Sequence, residues 1–177
     1  MDSFYIWMEA FSKKQIEKAN KTYHKYGFKS SIPAKYIIKM ALKSLLKDPN
    51  SLVLDYGAGK DPKMAKMLKN KGFSVVAHDI GDNQTHDHHK KALNNKYDMV
   101  IAHNVLNIQD DKSMLNKSLE EIKDALKHGG LLIASFPDCP KELDVDRKEF
   151  MDIFKLHFSV LKFKNLKSGG IILKAQV

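Results

Sequence analysis

Apolar positions along the chain fall into two rhythms, and together they predict alternating strands and helices. Unbroken apolar runs at Ser51–Tyr56, Phe73–Asp79, Tyr97–Asn104 and Leu131–Phe136 read as buried parallel strands, because an alternating pattern is missing from each. Between them, Met64, Met67 and Leu68 mark one helix face, and Leu115, Leu119, Ile122 and Leu126 mark another. Asp61 reads as the N-cap of the first helix, with Pro62 at its first position and Gly72 as its stop. Asp110 or Asp111 caps the second, and His128-Gly129-Gly130 closes it, with Gly in the C′ role. Asp144 to Leu156 predicts a last helix packing through Phe150, Ile153 and Phe154. Phe158–Lys164 and Ile171–Val177 then predict a hairpin, joined by the glycine-containing loop 165–170. Ahead of all this, Ile16, Ala19, Tyr23 and Tyr26 are spaced for one helix, and Ile37, Ile38, Ala41, Leu42, Leu45 and Leu46 for a second. The expectation is an α/β fold: a mostly parallel sheet with a C-terminal antiparallel hairpin. Residues 1–50 read as an N-terminal helical cap on a core at 51–177, one compact domain overall.

The chemistry concentrates where the first strand ends. Asp55-Tyr56-Gly57-Ala58-Gly59 runs from that strand into a glycine turn and a helix start. Glycine lets the backbone take a positive φ and lets a ligand approach where a Cβ would clash. The next strand ends on Asp79, 20 positions after Gly59, where a carboxylate can accept from both ribose hydroxyls of an adenosine ligand. Strand, G-x-G, helix, strand and terminal acid are all present within about 30 residues, a far more specific signal than a lone G-x-G.

Asp55-Tyr56-Gly57-Ala58-Gly59 resembles the D-x-G-x-G motif of class I (Rossmann-like) S-adenosylmethionine (SAM) methyltransferases, in particular small bacteriophage and bacterial members. Pro62 stands where a dinucleotide dehydrogenase would carry its third glycine. Asn104-Val105-Leu106-Asn107-Ile108 is similar to the segment after the fourth strand in small methyltransferases, and Lys127-His128-Gly129-Gly130 matches a further landmark. The resemblance covers residues 50–177 and implies SAM as cofactor and S-adenosylhomocysteine as product. It implies cofactor contacts at Asp55, Tyr56, Gly57, Ala58, Gly59, Asp79, Ile80 and Asn104. It assigns no catalytic residue; Asn104, Asn107 and His103 are the candidates at the reaction face, and Tyr23 or Tyr26 could orient an acceptor. The further strand that many family members have after Asp79 is short or missing here, so the adenine contacts have no obvious residues. Asn104-Val105-Leu106-Asn107 lacks the prolines and aromatic of amino-methylating DNA enzymes. Cys139 follows the wrong strand for a cytosine C5 nucleophile and reads as structural. The acceptor, a small molecule or a nucleic acid, stays open. The alternatives are an inactive methyltransferase-fold binding module and an enzyme that cleaves SAM.

Charge adds one refinement. The chain of 177 residues carries a formal charge of +9, and residues 1–50 hold ten lysines against four acids. Nucleic acid is therefore a candidate partner through basic N-terminal helices. Arg147 is the only arginine, which disfavours base reading, where arginine dominates. His86, His88 and His89 invite a metal reading, but their spacing matches no closed zinc pattern, so the stretch reads as a solvated polar loop with no metal. No apolar run approaches the roughly 20 residues of a membrane span. The single Cys139 and the lack of a signal-peptide pattern point to the cytoplasm.

Overall fold

The computed structural model describes residues 32–137, 143–167 and 170–177. Expectations at Tyr23, Tyr26 and Cys139 lie outside the described residues. The elements run α1 (Ile32–Leu45), β1 (Leu52–Tyr56), α2 (Lys63–Lys69), β2 (Ser74–His78), β3 (Tyr97–Ala102), α3 (Lys112–Ala125), β4 (Leu126–Phe136), α4 (Arg147–Lys155), β5 (Ser159–Asn165) and β6 (Ile171–Gln176). They build one six-stranded sheet in the order β2-β1-β3-β4-β6-β5. The first four strands are parallel, whereas β6 is antiparallel to both β4 and β5. The expected mixed sheet with its terminal hairpin is present.

Alternation within the apolar runs decides which layer each side chain joins. Leu54, Val100, Leu132 and Leu173 face α3 and α4, and pack on Leu115, Leu119, Ile122, Phe150 and Phe154. Val53, Ile101, Ile133 and Ile172 face the other way, onto Ile37, Ala41 and Leu45 of α1 and Met64 and Leu68 of α2. Burying each such side chain stabilises the fold by about 1.5–3 kcal/mol. The described part of the N-terminal region, α1, is therefore one layer of the core.

Three local expectations need correction. Asp61 does not cap α2: the helix begins at Lys63 with Pro62 as its cap residue, and Asp61 instead pairs with Lys66 at 3.0 Å. The glycine pair does not end α3, which stops at Ala125; Gly129 lies inside β4 with φ +76°. Tyr97 is paired with Leu126 but Met99 with Leu131, so 126–130 bulge before regular pairing resumes. The last helix starts at Arg147 rather than 144, with the Asp146 carboxylate accepting from Glu149 N at 2.8 Å. Asp111 does cap α3, accepting from Met114 N at 2.8 Å. Between β2 and β3 the chain forms two short 3-10 turns, Gly81–Asn83 and Ala92–Asn94, in place of a further strand.

Candidate functional site

The four parallel strands end at one edge of the sheet, where an α/β sheet forms its ligand crevice. The loops that leave β1 and β3 meet there, with the loop after β2 tied to the first. The first leaves β1 through Gly57 (φ +68°) and Gly59 (φ +73°). A Cβ on Gly57 would sit 2.5 Å from Val105 Cγ2, so the side-chain-free position lets this loop touch the loop after β3.

Gly59 is held at both ends of its residue. Its N–H donates to Asp79 Oδ2 at 2.6 Å, and its carbonyl lies 2.9 Å from His88 Nε2. His88 Nδ1 accepts from Thr85 N at 3.1 Å, which leaves the proton on Nε2 to donate to Gly59 O. The supposedly solvated loop is thus only partly so. His88 is buried, whereas the His86 side chain is 92% exposed. Among the described residues no group of three or more His, Cys, Asp or Glu is arranged to hold a metal ion.

Asp79 is buried, and its Oδ1 also accepts from Ile80 N at 2.8 Å and Asn83 Nδ2 at 3.1 Å. A carboxylate offers about four acceptor positions, so one remains for a ligand. Burial raises the Asp79 pKa, against the pull of those donors. Asp55 is buried too; its Oδ2 accepts from Ala65 N at 3.0 Å, so it supplies the N-terminal cap of α2 that Asp61 does not. Burial pushes Asp55 up to about 7, and the charge of Asp79 adds to the rise. A cationic ligand would relieve both carboxylates. Asn83 Oδ1 and Asn107 Oδ1 are buried with no protein partner, two orphan acceptors beside these loops.

The second loop leaves β3 at His103 and Asn104. Asn104 takes φ +57°, a left-handed backbone rare outside glycine. Ser135, at the end of neighbouring β4, holds it. Asn104 N donates to Ser135 Oγ at 3.1 Å, and Ser135 Oγ donates to Asn104 Oδ1 at 3.2 Å. His103 Nδ1 lies 2.9 Å from Ser135 Oγ, and Asn104 Nδ2 lies 3.4 Å from His103 Nε2. One assignment satisfies every group: His103 donates from Nδ1 to Ser135, and Asn104 donates weakly to Nε2. Burial pushes His103 down to about 4, so this ring of bonds holds a neutral imidazole at neutral pH.

Most of the expected residues therefore converge. Gly57, Ala58, Gly59, Asp79, Ile80, Asn104, Asn107 and His103 lie on the loops that follow β1, β2 and β3, with Asp55 buried beneath. Tyr56 differs: its ring is buried and its hydroxyl donates to Glu121 Oε2 of α3 at 2.6 Å, which leaves only its backbone at the crevice. Sequence reasoning missed His88, Asn83 and Ser135. Only Ser135 left a trace, as the polar residue inside the apolar run Leu131–Phe136.

Comparison with known proteins identifies the family and the fold. The profile of the methyltransferase domain family matches residues 27–168. No curated protein sequence matches the chain. Solved structures share the fold at low identity. A TehB-like SAM-dependent methyltransferase from Corynebacterium glutamicum is 14% identical, with a TM-score of 0.64 over 93% of this chain and 99% of that one. The PH0226 protein of Pyrococcus horikoshii is 17% identical, with a TM-score of 0.63 over 88% of this chain and 98% of that one. The N-methyltransferase NodS from Bradyrhizobium japonicum, solved with S-adenosyl-L-homocysteine, is 11% identical, with a TM-score of 0.62 over 82% and 88%.

Proposed function

The chain belongs to the methyltransferase domain family, and we propose that it transfers the methyl group of SAM to an acceptor, leaving S-adenosylhomocysteine. The observation that carries the reading is the buried Asp79 carboxylate tied to Gly59 N at 2.6 Å, with acceptor capacity left over. Asp79 accepts from a ribose hydroxyl, and the orphan Asn83 Oδ1 takes a second donor of the nucleoside. Asp55 and Asp79 favour the positive charge of the ligand, since burial has raised the pKa of both. Ala58, Ile80 and the backbone of Tyr56, Gly57 and Gly59 line the rest of the pocket.

When bound, SAM supplies an electrophilic methyl on a sulfonium, displaced in line by the acceptor. The protein's part is then orientation, and no nucleophilic side chain is required. Asn104 and Asn107 present polar groups to the acceptor. His103, neutral at neutral pH, positions Asn104 and can take an acceptor proton only weakly, because burial has lowered its basicity. The acceptor is a small molecule or a nucleic acid. Among the described residues no helix is long and apolar enough to cross a membrane, and the single cysteine fits work in the cytoplasm. In this reading residues 1–50 serve as a helical cap on the core at 51–177, and the described part of that cap is α1.

Calorimetric titration with SAM, and separately with NAD, tests the proposal. SAM binds the wild-type protein and NAD does not; Asp79→Ala lowers SAM affinity at least tenfold. Unchanged affinity in that variant sinks the ribose assignment.

A further inference from the structure

Among the described residues, α1, β5 and β6 carry lysine without acid. Residues 32–47 and 159–177 contain eight lysines and no Asp or Glu. On α1, Lys35, Lys39 and Lys43 recur every fourth residue, Lys47 follows in the turn after the helix, and all four are exposed. That spacing stacks the three helical lysines in one stripe about 12 Å long at 1.5 Å per residue, an arrangement in which like charges repel.

The fold sets this stripe beside a second group. Lys174 of β6 donates to Ser44 of α1 at 3.0 Å. Lys164 of β5 lies 3.6 Å from the ring centre of Tyr36. Lys162 pairs in register with Lys174, and Lys164 with Ile172, so both point to the α1 side of the sheet. The electrostatics agree. Burial first, then the charges of Lys47, Lys43 and Lys162, hold Lys174 below its ordinary pKa. Lys164, by hydrogen bond and charge, then Lys39 and Lys167 hold Tyr36 below its own.

We propose that the face formed by α1, β5 and β6 binds the phosphate backbone of nucleic acid, independently of base sequence. Charge complementarity selects the occupant. Duplex DNA carries one charge per about 1.7 Å, so a stripe of about 12 Å spans roughly seven phosphates. The cations here are all lysines, which suit phosphate as point charges and lack the bidentate fork that reads guanine. A lipid surface is the poorer occupant, because a helix lying on a membrane needs its apolar side free. Ile37, Ala41 and Leu45 of α1 are already buried against the sheet. The surface is formed by α1, β5 and β6, whereas the cofactor candidates lie on the loops after β1, β2 and β3, and the inference holds whatever the methyl acceptor is.

Fluorescence anisotropy with a labelled 20-base-pair DNA duplex of arbitrary sequence, from 50 to 200 mM KCl, tests this. Wild-type protein binds, and log K falls with log salt at a slope of roughly −4 or steeper, about 0.9 per phosphate neutralised. The quadruple variant Lys39→Gln, Lys43→Gln, Lys162→Gln, Lys164→Gln loses roughly three of those slope units and at least tenfold in affinity at 100 mM KCl. It keeps wild-type SAM affinity, and its melting temperature is unchanged or higher, since repulsion is relieved. The control variant Lys69→Gln, Lys71→Gln, Lys90→Gln, Lys91→Gln binds DNA as the wild type does. Equal weakening by the control, a salt-independent interaction, or binding to phosphatidylserine vesicles but not to DNA overturns the proposal.

Discussion

The two loops at the strand ends hold strained backbone by different means. After β1, glycine takes the left-handed conformations, and side chains from elsewhere, Asp79 and His88, fasten Gly59. After β3, an asparagine takes the left-handed conformation and Ser135 fastens it. The first solution avoids the steric cost, and the second meets it with hydrogen bonds. Left-handed backbone costs a residue with a Cβ roughly 1–2 kcal/mol, an amount that one or two buried hydrogen bonds can offset. The glycine loop therefore needs no hydrogen bond to offset a steric cost, whereas the asparagine loop depends on a particular neighbour. Strain retained at a sheet edge of this kind marks a place where geometry is used.

The largest effect should come from removing the glycine solution. Gly57→Ala places a Cβ at φ +68° and against Val105, and is expected to cost about 3 kcal/mol in urea denaturation. Adding Val105→Ala should return the clash portion and leave the backbone portion. A double variant no more stable than Gly57→Ala would mean that sterics with Val105 do not set the cost.

Breaking the second solution is expected to cost less. Ser135→Ala strips a partner from Asn104 N, Asn104 Oδ1 and His103 Nδ1, for a loss of about 2 kcal/mol in the same assay. SAM affinity should stay within about threefold, because Asp79 and the glycine loop are untouched. A loss confined to SAM binding, with stability unchanged, would put Ser135 in the pocket rather than behind Asn104.

The smallest effect is a pH slope. His103 titrates near 6.5 when unfolded and about 4 when folded. The folded state therefore binds fewer protons between those values, and stability must rise with pH through that window. The contribution is complete above pH 6.5 and is lost as the pH falls towards 4, at no more than about 1.4 kcal/mol per pH unit. His103→Gln should flatten the acid side of the stability curve by that amount. An unchanged slope would place the neutral histidine elsewhere, with buried His78, also held down to about 4, as the next candidate.

The glycine loop was legible in the sequence because glycine is the residue such a backbone selects, and Asp79 because the end of the next parallel strand falls at a countable distance. The asparagine loop was half legible. Asn104 and His103 stand at a strand end, but nothing near them in sequence names Ser135, 31 residues from Asn104. Adjacent parallel strands make it a neighbour through the pairing of Ala102 with Ala134. The burial of His88 escaped notice for the opposite reason: His86, His88 and His89 look alike in sequence, and only folding buries one and exposes another.

What the sequence determined by itself is the set of elements and the face each one buries, since periodicity and local turn chemistry are properties of neighbouring residues. It also placed the chemistry at the strand ends after β1, β2 and β3. The tertiary structure alone decided which side chains partner which. It made Asp55 rather than Asp61 the cap of α2, turned Tyr56 away to Glu121, and set lysines from α1, β5 and β6 on one face. These are contacts between residues distant along the chain, and they exist only once the hydrophobic layers have fixed the register of the sheet and the helices that pack on it.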